Sequence, residues 1–544
     1  MIAVNLTHLK LDLFARPILT DIDWEIHDDR CVGLIGPNGA GKSSLLKVIA
    51  AELVPDGGSI TRAKGLTIGF LQQEPVLDPK QTALDEVLTA HAELHAVEAE
   101  LQRIETKLSD PDVYGDEKAL ARALEAQHRL LEKFEALGGA TYEKHVRETL
   151  RGLGLDEHDF ETKVAALSGG QKKLVGLAKL LITQPELLLL DEPDNHLDLN
   201  GKAFLERTIN NYPGAVVIVS HDRYLLDRVA DEIAELEAGR VAVYSGTYSE
   251  YAFEKQMRLA RAQQLYHVQQ REISRLQAAA KQLLIWGRTY DNNKFIRRGK
   301  AILGRIEKMD KIDRPVLEPK RMDLRINGWR GSNKVLETKN LTKSFADETL
   351  FSHLDLLIRH GERVGLVGPN GAGKSVLLKV VLGEMPSDRG EVTVGPSVTV
   401  GYYAQQHETL DRSQTLIDVI RHAKECGEGE AVAFLIKFLF SYTQARQRVG
   451  ELSGGERSRL QLALLMLSNA NFLLLDEPTN NLDIASAEVL EQALDDFEGT
   501  VLCVSHDRYF LDRVATRIIE IDRGQVLEFA GGYSDYAEKK GGGN

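Results

Sequence analysis

The octapeptide GPNGAGKS occurs twice, at residues 36–43 and again at 368–375. An identical string of that length means that whatever the first copy folds into must be built a second time. GFLQQ (69–73) and GYYAQ (401–405) keep the same offset of 332 residues. LSGG (167–170 and 452–455), LLLDEP (188–193 and 473–478) and VSHDRY (219–224 and 504–509) keep an offset of 285. Two homologous halves therefore run in parallel, and the first carries 47 extra residues between its glutamine segment and its LSGG. The repeats divide the 544 residues into a first unit over 1–252, a connector over 253–332 and a second unit over 333–544.

Each half reads as α/β. CVGLI (31–35) is a strand-length apolar run that ends in a glycine loop, with a helix expected from about Lys42. ELLLL (186–190) and AVVIV (215–219) are unbroken apolar runs, as expected of strands covered on both faces. A carboxylate pair follows the first of these and a histidine follows the second. They fall at strand C-terminal ends, where open α/β sheets bind ligands.

The repeated strings carry phosphate chemistry. In Gly36, Pro37, Asn38, Gly39, Ala40, Gly41, Lys42, Ser43 and Ser44, the glycines let backbone N–H groups turn inward around phosphates. Gly368, Pro369, Asn370, Gly371, Ala372, Gly373, Lys374, Ser375 and Val376 repeat the loop. Each lysine is expected to reach the β/γ-phosphates of a nucleotide, and Ser43 and Ser375 to bind Mg²⁺. Asp191 and Asp476 are expected to hold the same ion through its water shell, with Glu192 and Glu477 polarising the attacking water. His221 and His506 are read as γ-phosphate contacts, and Gln73 and Gln405 as sensors of Mg²⁺ and the attacking water.

LSGGQ (167–171) and LSGGE (452–456), taken with the phosphate loop, the glutamine, LDEP and SHD, resemble the ATP-binding cassette ATPases. The resemblance implies two cassettes and two composite sites. One combines Lys42, Ser43, Gln73, Asp191, Glu192 and His221 with Ser453, Gly454 and Gly455 of the other half. Its counterpart combines Lys374, Ser375, Gln405, Asp476, Glu477 and His506 with Ser168, Gly169 and Gly170. ATP then joins the halves and its hydrolysis releases them, because each γ-phosphate contacts both. Phe345 is expected to stack on adenine in the second cassette; the aligned residue in the first is Leu13, leaving Phe14 as a candidate. Asp194 stands where Thr479 stands in the second half and where the family usually has threonine. A carboxylate beside a polyphosphate is repulsive unless it points away or pairs with a cation, so the first site is expected to differ in rate or affinity.

Two segments lie outside the cassettes. Over 89–140, Leu94, Val97, Leu101, Ile104 and Leu108 form a helical stripe. Residues 109–116 break it, and Leu120, Leu124, Leu131 and Phe134 resume it: a hairpin arm of about 25–30 Å. In the connector, residues 253–286 contain no Gly or Pro and predict a helix of roughly 50 Å. Residues 286–293 read as its turn, and a second helix is expected from 294 to about 313.

The chain is acidic, at −14, yet residues 255–325 hold 18 Lys/Arg against 7 Asp/Glu. That segregation favours a polyanionic partner. Arg288, Lys294, Arg297, Arg298, Lys300 and Arg305 are the candidate RNA contacts. Trp286, Tyr290 and Phe295 among them either stack on unpaired bases or pack in the core.

Twin cassettes, a hairpin arm and a long basic linker resemble the F subfamily of ATP-binding cassette proteins. The resemblance implies a cytoplasmic ATPase that acts as a monomer on the ribosome, with no membrane subunit. Its linker would enter the tRNA exit site and approach large-subunit rRNA, the P-site tRNA and the peptidyl-transferase centre. Such a protein regulates translation, rescues stalled ribosomes or protects against ribosome-targeting antibiotics. Two other classes stay open: a tandem transporter ATPase, which predicts a short neutral connector, and a DNA-repair ATPase, which predicts a zinc module or a far longer coiled coil. Cys31, Cys426 and Cys503 have no metal-binding spacing and read as small hydrophobes in a reducing compartment. No apolar run reaches the ~18–20 residues of a membrane span, and the N-terminus is not that of a secretory signal.

Overall fold

In the computed structural model, described for all residues except 14–15, 73–74, 110–116, 196, 310–321, 327, 346–347, 405–409, 523 and 542–544, the duplication appears as two copies of one architecture. Each half has a three-stranded antiparallel sheet and a six-stranded sheet. The larger sheet of the first half runs in the order Ile68–Leu71, Leu187–Asp191, Ala215–Val219, Cys31–Ile35, Glu232–Glu237 and Arg240–Ser245. Its first five strands are parallel and the last is antiparallel. The second half repeats the order with Val400–Tyr403, Phe472–Asp476, Thr500–Val504, Arg363–Val367, Arg517–Asp522 and Gln525–Ala530.

The unbroken apolar runs are the central strands, and all five residues of Leu187–Asp191 and of Ala215–Val219 are buried. In-register pairing brings Asp191 opposite Val219 and Asp476 opposite Val504. The acid pair and the histidine loop of each half therefore emerge side by side at one sheet edge. That adjacency, between segments about thirty residues apart in sequence, creates the site.

Helices Ala92–Leu108 and Glu117–Ala136 form the arm of the first half, with Lys133 Nζ 2.9 Å from Glu93. Leu94, Val97 and Leu101 are buried, whereas Leu124 and Leu131 stay exposed. The expected turn at 109–116 lies almost wholly outside the described residues. Cys31 and Cys503 are buried, Cys426 is partly so, and all three are free thiols. Among the described residues no helix is long and apolar enough to cross a membrane.

The chain separates into two compact units, one holding both repeated halves and the other spanning Tyr248–Arg321. The second unit is a helical hairpin of Tyr248–Thr289 and Asn293–Glu307. Its first helix has 42 residues, so it is about 63 Å long and exceeds the expected 253–286 at both ends. Small residues set the helix spacing. A Cβ on Gly287 would lie 2.6 Å from Ile296 Cγ1, and one on Gly299 would lie 2.8 Å from Leu284 Cγ. The turn is tight: Asp291 is left-handed (φ 45°), and the Asn292 carboxamide caps the return helix by accepting from Lys294 N at 3.0 Å. Residues 310–313, expected to end that helix, are outside the described set.

Candidate functional site: two phosphate loops across one interface

Each phosphate loop is shaped by what crowds it. Gly36 (φ 152°) and Gly368 (φ 148°) pass so close to the neighbouring strand that a Cβ would meet Leu236 O at 2.3 Å and Ile521 O at 2.1 Å. Only glycine fits there. Gly41 and Gly373, both left-handed, cap the helices Lys42–Ile49 and Lys374–Val381, whose N-termini present free N–H groups to the loop. Lys42 Nζ folds back to donate to Gly36 O (2.7 Å) and Pro37 O (3.2 Å). Lys374 Nζ makes the same two bonds, to Gly368 O and Pro369 O, at 2.7 Å each. Burial lowers the pKa of both lysines, and neighbouring carboxylates offset this only in part.

The acid–histidine pairs are equally alike. Glu192 (φ 51°) and Glu477 (φ 50°) are left-handed non-glycine residues, a strained conformation found mainly at functional sites. Their amides donate across the sheet edge to Val219 O (2.8 Å) and Val504 O (2.9 Å). His221 Nε2 then lies 3.6 Å from Glu192 Oε1, and His506 Nε2 3.6 Å from Glu477 Oε1. Burial, followed by the adjacent Asp476, pushes the Glu477 carboxyl up to about 7. Glu192 is raised for the same two reasons, burial and Asp191. His221 is pushed down to about 3 by burial and then by Lys42, and His506 also falls well below its usual value. Both imidazoles are thus neutral at pH 7, able to donate from one nitrogen and accept at the other. Asp191 Oδ1 is buried without a hydrogen-bond partner.

The signature serines begin helices. Ser168 caps Gly169–Thr183 and Ser453 caps Gly454–Leu467, each in a reciprocal capping box with Gln171 or Glu456. The S-x-x-[QE] spacing could have revealed this role for the fifth signature residue. Gly455 stands directly across from the first phosphate loop: a Cβ on it would lie 2.9 Å from Asn38 Nδ2. Asn38 N donates to Asp483 Oδ2 (3.2 Å) and Asn38 Nδ2 to Asn481 O (3.0 Å). Reciprocally, Asn370 N donates to Asp198 Oδ2 at 3.3 Å. Asp198 and Asp483 each use their other oxygen to cap their own helix, bonding Gly201 N and Ser486 N. One carboxylate thereby ties a helix start to the opposite phosphate loop. Sequence reasoning missed both aspartates, since a helix-capping Asp gives no sign of a second partner 172 or 445 residues away.

Further buried charges join the halves. Arg223 pairs with Glu491 and stacks 3.9 Å from the Tyr509 ring centroid; Arg508 pairs with Glu206 and stacks 4.1 Å from the Tyr224 ring. The VSHDRY repeat supplies both arginines and both tyrosines, so duplication produced a two-fold latch. In the first half Lys173 adds a hydrogen bond to Glu192 O at 2.6 Å; its counterpart in the second half is Ser458.

A cavity of about 350 Å³ is lined by Asn370, Lys374, Ser375, Glu477 and His506, with Phe345 on its wall. Glu192, His221 and Asp194 line it from the other half. Asp194, expected to mark the first site, therefore faces the second phosphate loop as well. It is buried beside Lys202, whose charge counters the rise that burial imposes on its pKa. Gln73, Gln405 and Phe14 lie outside the described residues. Arg288, Lys294, Arg297, Arg298, Lys300 and Arg305 are all exposed on the connector hairpin. Trp286 and Phe295 pack edge to face at 6.3 Å, while Tyr290 stays 71% exposed and open to a partner.

The ABC transporter family profile matches residues 19–195 and 351–480, and a second profile of the same description matches 234–326. YdiF of Bacillus subtilis is 41% identical over 99% of this chain and 83% of its own length. The energy-dependent translational throttle protein EttA of Escherichia coli K12 is 36% identical, over 96% of this chain and 93% of its own. ABC transporter F family member 5 of Arabidopsis thaliana is 33% identical, over 98% and 77%. The chain belongs to the ABC-F subfamily of ATP-binding cassette proteins. This ABC-F protein is an ATPase with two nucleotide-binding cassettes. Its connector hairpin lies within the second matched segment, so the family resemblance extends beyond the cassettes themselves.

Proposed function

We propose that this ABC-F protein is a ribosome-associated translation factor, clamped shut by two ATP molecules and acting on RNA through its connector hairpin. One observation carries the reading: six exposed cations lie on a hairpin in an acidic chain whose relative EttA, similar almost end to end, is named for translation. A transporter subunit has no use for such a hairpin. A DNA-repair ATPase is disfavoured by three scattered free cysteines and a short arm.

In each site the lysine binds phosphate oxygens, and the glutamate accepts a proton from the attacking water. The neutral histidine donates toward the γ-phosphate, and the opposite signature serine and glycines complete the shell. Ser43 with Asp191, and Ser375 with Asp476, would hold Mg²⁺ together with Gln73 and Gln405. The partnerless Asp191 oxygen beside Ser43 fits such an ion, which supplies charge neutralisation at the phosphates. Phe345 stacks on adenine. ATP closes the halves because only the closed state offers it both shells. The closed protein then inserts its linker at the tRNA exit site, toward large-subunit rRNA, the P-site tRNA and the peptidyl-transferase centre. There it regulates or rescues translation, or protects against ribosome-targeting antibiotics, as a cytoplasmic monomer without membrane subunits.

The test is sedimentation. A Glu192→Gln/Glu477→Gln protein, able to bind ATP but not to hydrolyse it, should co-sediment with ribosomes in ATP and leave them without it. Recovery on DNA or with a membrane protein instead would falsify the assignment.

A further inference from the structure

The two halves differ where they meet. At the position of Ala487 in the second half, the first half has Lys202, and at the position of Thr479 it has Asp194. Lys202 is 6% exposed, and its Nζ donates to Asp222 Oδ2 at 2.8 Å. It also donates at 2.9 Å to the backbone carbonyl of His506, a residue of the other half. Ala487 has only a methyl group there and can give nothing to the reciprocal carbonyl of His221. The contact is therefore built once, on one site.

The surroundings explain why the lysine stays charged. Burial alone would depress its pKa, but Asp222, Asp194 and Asp507 together hold it above the usual lysine value. Asp194 and Lys202 thus form a matched substitution: without the lysine the acid keeps only Lys173 as a nearby cation, and the lysine loses part of its compensation without the acid. A charge-assisted bond to a loop carbonyl is among the stronger single hydrogen bonds in a protein. The loop it grips carries His506, whose imidazole faces Glu477.

Resting on the composite-site reading above, we propose that Lys202 is a positioning residue that holds the His506 loop of the Lys374 site in its working geometry from across the interface. The Lys42 site has no equivalent, so the two sites hydrolyse ATP at different rates, and closure is sensed directly at one of them. Asp194 lines the cavity of the Lys374 site beside Lys202, so its consequence falls on the second site, not only on the first.

The experiment measures steady-state ATPase in two backgrounds, Glu192→Gln reporting the Lys374 site and Glu477→Gln reporting the Lys42 site. Lys202→Met should lower kcat about ten-fold in the first background with KM for ATP changed less than about two-fold. In the second background, where Lys202 reaches the His221 loop only through Asp222 and Arg508 stays 3.8 Å from that carboxylate, kcat should fall clearly less. Lys202→Arg, which keeps a charged donor, should recover most of the loss. Lys202→Ala/Asp194→Thr copies the residue pair that the second half already tolerates, and it should show the same one-sided loss if the single variant folds poorly. An equal fall in both backgrounds, no fall in either, or a loss entirely in KM would overturn the proposal. Turnover surviving in the Glu192→Gln/Glu477→Gln protein would count against the glutamates instead, whereas the Lys202 effect is read as the ratio within each background.

Discussion

Replacing Arg223 by methionine tests whether the latch, rather than nucleotide alone, holds the halves together. Its side chain is 4% exposed and that of its partner Glu491 is fully buried. Breaking one member of a buried pair costs about 3–5 kcal/mol, mostly because the remaining charge is stranded. Glu491 is only partly stranded, since Arg513 of its own half lies 3.0 Å from it, so the lower figure applies. About 3 kcal/mol corresponds to roughly a 100-fold shift of the closing equilibrium toward the open state. If only the closed state binds ATP tightly, apparent affinity falls in proportion to the closed population. Fluorescent-nucleotide titration in a Glu192→Gln/Glu477→Gln background, where hydrolysis does not intrude, reads this directly. Arg513→Met is the control. It removes a partner within one half that is 36% exposed, and it should shift affinity by no more than about 1 kcal/mol. Adding Glu491→Met to Arg223→Met should restore part of the loss, because both buried charges are then gone. Unchanged ATP affinity in Arg223→Met, or an equal effect of Arg513→Met, would refute the reasoning.

Two further outcomes follow from the geometry. Neutralising Arg297, Arg298 and Lys300 should weaken ribosome binding and flatten its salt dependence by about 0.7–0.9 in log–log slope for each RNA phosphate that no longer meets a cation. The ATPase activity measured without ribosomes should hardly change, and its parallel loss would point to a folding role. Gly36→Ala forces a methyl against Leu236 O and should weaken nucleotide binding at the first loop about 5–150-fold, from ~1–3 kcal/mol of backbone strain. Site-resolved ATP labelling, with the second loop as internal reference, measures the loss.

Much of this protein is legible in one dimension. The duplication, the central strands, the phosphate loops, the acid–histidine sets and the charge of the linker each depend on residues that are neighbours in the chain or share one periodicity. Their physics is local: glycine where a Cβ cannot fit, apolar runs where both sheet faces are covered, cations gathered in one stretch of an acidic chain. Tertiary structure decided everything that depends on one half facing the other. Asp198 and Asp483 read as ordinary helix caps until each is found accepting from a foreign phosphate loop. Arg223 and Arg508 read as helix residues until their partners appear 268 and 302 positions away. Asp194 reads as a mark of the first site because sequence assigns a residue to its own half; folding sets it, with Lys202, against the other half's loop as well. Sequence determines what each half can do, but a charge's effect depends on distance in space, and only the assembled interface sets those distances.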